Sequence, residues 1–396
     1  MNLILFDKDA ESYFPLSLTR PVSYLRVGIF TIKEKWDKFF KSVSVKTADY
    51  LTKKYPIELD DDNIWVVSNI IPSQNLITEI SSLRQGEALS KQGKIIAFRN
   101  STFDMNKLNV IDSNVIFNSI ENLSDIFLLN GEEINNDLRL MFPCEKQLEW
   151  NGDQDKIEQI QRENIKIGNH PIYIEEGAKL QHCILNTTEG PIYIGKNTEI
   201  MEGSMIRGPF ALLNNSVLKM GAKIYGSSTL GPYCKVGGEI NNVVFFGFSS
   251  KAHDGFLGNS VIGEWCNLGA GTNNSNLKNN YEDVKLWNYP LESFNSTGLQ
   301  FCGLIMGDHS KCGINTMFNT GTVIGVSVNL FGTGFPRNFI PSFSWGGAAG
   351  FSTYKLTKVF EVVKKVFARR KICFDDKEER ILSCVYDMTK KYRNEL

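Results

Sequence analysis

An aliphatic residue recurs at every sixth position from Ile194 through Ile200, Ile206, Leu212, Leu218, Ile224 and Leu230 to Val236. An α-helix repeats every ~3.6 residues and a strand every second residue, so neither alone produces this spacing. A chain that turns a corner every six residues does, with one apolar side chain per edge directed into a narrow core. The ladder resumes at Phe256, Ile262 and Leu268, and again at Met306, Cys312, Phe318, Ile324 and Leu330. Gly195, Gly231, Gly237, Gly263, Gly269, Gly307, Gly313 and Gly325 each follow a ladder residue, where a tight corner favours a residue without Cβ. The spacing predicts a hexapeptide-repeat β-helix. Its period fails over residues 238–255 and from Asn273 to Cys302, and such departures are where loops carry function.

Residues 1–150 have a different texture. Leu3–Phe6 and Ile64–Val67 are short apolar runs that read as buried strands. Thr31 and Glu34 have capping-box spacing, opening a helix through Trp36 and Phe39. A second helix is predicted over Ile77–Leu83 and a strand over Gly93–Phe98, which together favour an α/β layer domain. Polar residues 151–167 are expected to link it to the β-helix at 168–348. In the segment 349–396, Leu356, Val359, Phe360, Val363, Val366 and Phe367 form one helical stripe. Asp375 and Glu378 cap a second helix carrying Ile381, Val385, Met388 and Tyr392, and both helices are expected to cover the open solenoid end or brace a neighbouring subunit.

Charge excludes some classes. With 43 basic and 44 acidic residues dispersed along the chain, no basic tract points to nucleic acid. No apolar run approaches the ~20 residues that span a bilayer. The N-terminus lacks a basic n-region, so a cytoplasmic protein is expected. Eight cysteines without a C-x-x-C pair read as buried small residues in a reducing compartment.

Only four histidines are present. His253 lies in the first break and is followed by Phe256, Leu257-Gly258-Asn259, Ile262-Gly263, Asn267-Leu268-Gly269-Ala270-Gly271-Thr272 and Asn276. This run resembles the acetyltransferase half of the bifunctional UDP-N-acetylglucosamine pyrophosphorylase / glucosamine-1-phosphate N-acetyltransferase family. Lys311-Cys312-Gly313-Ile314-Asn315 is similar to a run in its divergent bacterial and archaeal members. The resemblance implies direct acetyl transfer from acetyl-CoA to the amine of an amino-sugar 1-phosphate, on a left-handed parallel β-helix assembled as a homotrimer. It implies His253 as the base, suited to that role because imidazole titrates near working pH, and Glu239 as the carboxylate that orients it. Phe256, Asn267, Asn276 and Lys285 fall at sugar-phosphate positions, and Lys235 is a nearby substitute for cations missing at Gly237 and Asn241. Gly269, Ala270, Gly271, Ile314 and Gly332 fall at acetyl-CoA positions, although the glycines equally well merely turn a corner.

The N-terminal segment resembles divergent sugar nucleotidyltransferases at Leu5-Phe6-Asp7, at 14–36, at Gly86–Leu89 and at Phe127–Asn130. That implies uridylyl transfer from UTP with Mg²⁺ between the phosphates. The usual Gly-rich loop is absent after the first strand. Arg20 and Arg26 are candidates to replace its charge, Asn69 stands at a nucleotide-side metal position, and Asn130 matches a second metal ligand. Asp7 and Asp9 read either as metal ligands or as turn residues. The chain is therefore expected to join an α/β nucleotidyltransferase-like domain, a β-helix acetyltransferase and C-terminal helices. The alternatives are a nucleotidyltransferase with another acceptor or nucleotide, and a non-catalytic trimeric scaffold that binds sugar nucleotides.

Overall fold

The computed structural model describes residues 2–143, 150, 151 and 154–393. Asn2–Phe6 (β1), Val43–Lys46 (β2), Asn63–Val67 (β3), Glu87–Lys91 (β4), Lys94–Arg99 (β5) and Asn109–Asp112 (β6) form a mixed sheet in the order β2-β1-β3-β5-β4-β6. β1 and β3, the two expected apolar runs, are buried along their whole length. β1 pairs in parallel with β2 on one side and β3 on the other, so the chain reverses direction across the sheet at β1. The Thr31–Glu34 capping box is present, and it starts a short helix, Ile32–Trp36 (α1). That helix stops before Phe39, and the Trp36 ring is buried in the core with its Nε1 donating to the Ile70 carbonyl at 2.9 Å. Gln74–Ser82 (α2), Asp125–Leu128 (α3) and Asn130–Met141 (α4) complete the domain.

The segment expected to be a linker contains a helix, Gln154–Glu163 (α5). Its Ile157 and Ile160, one turn apart, enter the β-helix core and close its first end. Residues 152 and 153 of that segment lie outside the described residues. Ile165–Ile167 then begins a parallel solenoid with three faces. Strands such as Ile192–Ile194, Phe210–Leu212 and Leu304–Met306 build the first face, Lys235–Val236 and Lys311–Cys312 the second, and Lys223–Tyr225 and Met317–Phe318 the third. Every ladder residue from Ile194 to Val236 is buried in this core.

Three details depart from the period. Phe256 is only half-buried, and the adjacent Leu257 takes the interior place. The first break holds no excursion: Lys235 pairs with Ser250, fifteen residues on, so one coil is simply shorter than its neighbours. Only the second break leaves the solenoid, through a hairpin of Lys285–Asn288 against Ser293–Ser296.

Most of the glycines that follow ladder residues are needed for a different reason from the one expected, and Gly313 alone among them has room for a Cβ. None of them has a left-handed φ. At Gly231 a Cβ would lie 2.1 Å from the Phe246 carbonyl oxygen of the next coil, so the spacing between coils excludes a side chain. Left-handed corner positions are held instead by Asn197, Asn215, Tyr233, Phe248, Trp265, His309, Ser327 and Phe343 on successive coils. Several of these rings stack, Phe248 on Trp265 at 4.2 Å among them, and neighbour contact offsets the strain of a left-handed φ in a bulky residue.

The C-terminal helices Leu356–Ala368 (α6) and Asp376–Met388 (α7) have the expected stripes, and Asp375 caps α7 by accepting from the Lys377 and Glu378 amides. They pack along the flank of the solenoid, not over its end. Val359, Val363, Phe367, Ile381, Leu382 and Val385 share a cluster with Trp265, Val326 and Phe343 of the solenoid and with Leu18 and Leu51 of the first domain. Val244, Phe246, Val261, Ile305 and Val323, outward on the first face, join the core of the N-terminal sheet. Among the described residues, no helix is long and apolar enough to cross a membrane.

Candidate functional site

The corner between the second and third faces gathers most of the expected acetyl-transfer residues. His253 turns it on the coil between Ser250–Lys251 and Phe256–Glu264. Ala270 and Gly271 turn it on the next coil, Ile314 on the one after, and Gly332 follows the next second-face strand. Direct contacts join these turns: the Gly271 amide donates to the Asp254 carbonyl at 3.0 Å and the Asn315 amide to the Ala270 carbonyl at 2.7 Å. Gly269 and Gly313 touch so closely that a Cβ on Gly269 would lie 2.4 Å from Gly313. The His253 side chain is exposed, and no described residue hydrogen-bonds its ring.

On the third face, just past this corner, Glu239 pairs in register with Phe256. The Tyr225 hydroxyl donates to the Glu239 carboxylate at 2.5 Å, and burial together with that carboxylate pushes the tyrosine up to about 12. Arg207, Lys223, Tyr225 and Glu239 line a shallow depression of about 460 Å³. Phe256 and Asn276 both lie against Gly258, where a Cβ would meet the Phe256 ring at 2.5 Å and the Asn276 amide nitrogen at 2.8 Å. Asn276 donates to Asn259 at 2.8 Å.

Three expected substrate residues lie elsewhere. Lys235 and Asn267 are on the second face, so within one chain Lys235 does not stand in for the missing cations beside Glu239. Lys223, one coil before Glu239 in the same column, and Arg207 occupy that neighbourhood. Sequence proximity misled here because Lys235 and Glu239 are separated by a corner. Lys285 lies in the inserted hairpin and lines a different cavity with Trp287, Arg337 and Phe339.

A residue missed in the sequence supports the His253 turn from inside. Lys251 occupies an interior position between Val236 and Leu268 and is almost fully buried. Its ammonium donates to the Gly237 carbonyl at 3.1 Å and the His253 carbonyl at 2.9 Å. Burial holds it down at about 8. The signal was present as a lysine at a ladder position, hidden because the shortened coil shifts the six-residue count.

In the N-terminal domain a cleft of about 630 Å³ lies beyond the carboxyl ends of β1 and β3, where an α/β sheet that reverses direction opens a crevice for ligands. Lys8, Asp9, Asn69, Lys91, Lys94 and Glu121 line it. Asn69 donates to the Ile120 carbonyl at 3.0 Å. Asp7 is pushed up by burial and accepts from Thr47 and from the Val22 amide.

Arg20, Arg26 and Asn130 are not in the cleft. Arg20 is buried against the β-helix, bonded to Glu264 at 3.0 Å and to Asp308. Arg26 donates to the Phe246 carbonyl at 3.2 Å and to the Ile29 carbonyl. Asn130, fully buried, accepts from the Gly28 amide at 2.8 Å and the Thr229 hydroxyl at 3.0 Å and donates to the Ser227 carbonyl at 2.9 Å. All three join the two domains, because each projects from a segment that lies on the first face. The Asn130 side-chain oxygen is already engaged by two donors, and no group of three His, Cys, Asp or Glu residues gathers among the described residues.

Residues 3–142 match the family model described as sugar nucleotidyl transferase. The bifunctional protein GlmU of Trichodesmium erythraeum is 27% identical over 140 residues, 35% of this chain and 25% of that protein. GlmU of Methanocaldococcus jannaschii is 28% identical over 118 residues, 30% of this chain and 26% of that protein. A putative uncharacterized acetyltransferase of Escherichia coli, YaiX, is 28% identical over 149 residues, 37% of this chain and 64% of that protein. The chain thus spans about a quarter of the length of these GlmU relatives. The similarity to sugar nucleotidyl transferases thus spans residues 3–142, and part of the chain is distantly similar to GlmU proteins.

Proposed function

We propose that the β-helix transfers acetyl from acetyl-CoA to the amine of an amino-sugar phosphate, glucosamine 1-phosphate being the first acceptor to try. The observation that carries this reading is the stacking of His253 with Ala270, Gly271, Ile314 and Gly332 on one corner. Coils repeat at ~4.8 Å, so this column offers an edge on the order of 14 Å along which a pantetheine arm can lie with its thioester at His253. The amine nitrogen attacks the thioester carbonyl, a C–N bond forms and the C–S bond breaks. His253 accepts the amine proton, and the departing CoA thiolate takes up a proton. Glu239, held by Tyr225, faces the acceptor from the third face with Lys223 and Arg207 for its phosphate. The exposed apolar side chains of Met205, Met220, Ile314 and Met317 support assembly of these faces as a homotrimer.

The N-terminal cleft fits a sugar nucleotide, with Lys8, Lys91 and Lys94 offering charge to its phosphates. UTP is the nucleotide to test first, and no step is assigned to magnesium.

Thiol release from acetyl-CoA with glucosamine 1-phosphate should be seen in the wild type and lost in His253→Ala. A correctly folded protein with no release against a panel of amino-sugar phosphates would overturn the reading.

A further inference from the structure

Lys235, Ser250, Asn267 and Lys311 stand one above the next on four successive coils of the second face. Their strand neighbours Val236, Lys251, Leu268 and Cys312 point into the core, so by alternation these four point outward. At ~4.8 Å per coil the column is on the order of 14 Å long. Val366 of α6 and Arg369 and Arg370 of the turn that follows it lie over the column, leaving a cleft of about 410 Å³ walled also by Phe248 and Trp265.

Four lining side chains are cationic and none is a carboxylate. Lys235 and Arg369 have no hydrogen-bond or ion-pair partner among the described residues. Arg370 donates to the Tyr233 carbonyl at 3.0 Å, and Lys311 to the His309 carbonyl at 2.8 Å. The carboxyl end of α6 attracts cations and accounts for the two arginines there, but not for the two lysines facing them.

We propose that this cleft binds the diphosphate group of a phosphorylated ligand, either inorganic pyrophosphate or a nucleoside diphosphate. A single phosphate would reach the cations at one end of the column only. A diphosphate reaches towards both, with the Ser250 hydroxyl and Asn267 amide donating between them. The same assignment gives Lys311, the first residue of the Lys311–Asn315 run, a task that acetyl transfer did not supply. The site stands whether or not the His253 corner transfers acetyl groups.

The test is calorimetric titration of the full-length protein with pyrophosphate and, separately, with UDP. Saturable binding that weakens with salt is expected, and it should fall at least about tenfold in Lys235→Gln/Arg369→Gln. The unliganded melting temperature of that variant should match the wild type, because both side chains are exposed. Lys8→Gln/Lys94→Gln weakens nucleotide binding in the N-terminal cleft, so titrations repeated in that background isolate this cleft and should still show binding that depends on Lys235 and Arg369. In that background, tighter UDP than pyrophosphate identifies the nucleotide as the ligand, and the reverse identifies the inorganic anion. No saturable binding, or binding lost only in the Lys8/Lys94 variant, overturns the proposal.

Discussion

Lys251 occupies a place that neighbouring coils fill with Val236 and Leu268. An ammonium there is costly, since burial disfavours the charged form. What it secures is the turn that carries His253, by tying the His253 carbonyl to the Gly237 carbonyl at the same corner of the preceding coil. Lys251→Met, similar in length and apolar, is expected to fold with equal or higher stability, because replacing a buried charge by a packed apolar group is often neutral or favourable. Acetyl transfer should nevertheless fall about 10- to 100-fold in kcat, the scale of a displaced catalytic group. A thermal melt and steady-state kinetics on one preparation check both. The lysine also leaves a pH signature. Its native value of about 8 lies below its ordinary 10.5, so between these the unfolded chain binds more protons at this site and its contribution to stability rises with pH. Lys311 acts in the same direction, whereas the thiols of Cys234, Cys266 and Cys302, pushed up by burial, oppose it above about 9, so Lys251→Met should lessen the rise between about pH 8 and 9.

Among the elements, the segment from Thr19 to α1 joins the domains through buried charge, and α4 joins them through the uncharged Asn130. Arg20 neutralises both Glu264 and Asp308 across the boundary. Removing one partner of such a buried group strands the others, so Arg20→Ala should cost about 3–5 kcal/mol in urea unfolding. Ligand binding in the N-terminal cleft should persist in that variant under native conditions, since Arg20 is not part of the lining. Inside the first domain Lys35 of α1 meets Glu133, at 2.8 Å, and Asp137 of α4. Burial, opposed by Lys35, pushes Asp137 up to about 6 from 3.8. The native state therefore binds more protons between those values, and this contribution to stability falls as pH rises from about 4 to about 6. Asp137→Asn should flatten that slope in unfolding midpoints measured across the same window.

At the scale of the whole molecule, the first face of the solenoid is covered by the N-terminal sheet and the second in part by α6. The third face and its corner are left with exposed Met205, Met220, Ile314 and Met317. Light scattering should accordingly give three times the 44.7 kDa of one chain, and Met220→Asp should lower that mass. The N-terminal cleft and the His253 corner lie on separate parts of the fold, so His253→Ala should abolish acetyl transfer and leave nucleotide chemistry intact. Equal loss of both would mean that the two parts do not act independently.

Read alone, the chain determined what depends on a few neighbouring residues. The six-residue period produced the solenoid core, the apolar runs produced β1 and β3, and Thr31 with Glu34 produced a capped helix. The His253–Asn276 run named a corner whose coils do stack. Only tertiary structure decided which charges meet. Arg20 finds Asp308 at a separation of 288 residues, and Asn130 finds Thr229 at 99, so neither arginine nor asparagine could be assigned from its own surroundings. Lys235 and Glu239 are four positions apart yet face different directions, because a corner between them rotates the chain. Periodicity is a local property of the backbone and survives in the sequence. The partner of a charge is set by how distant coils and helices pack, and that is settled only when the chain has folded.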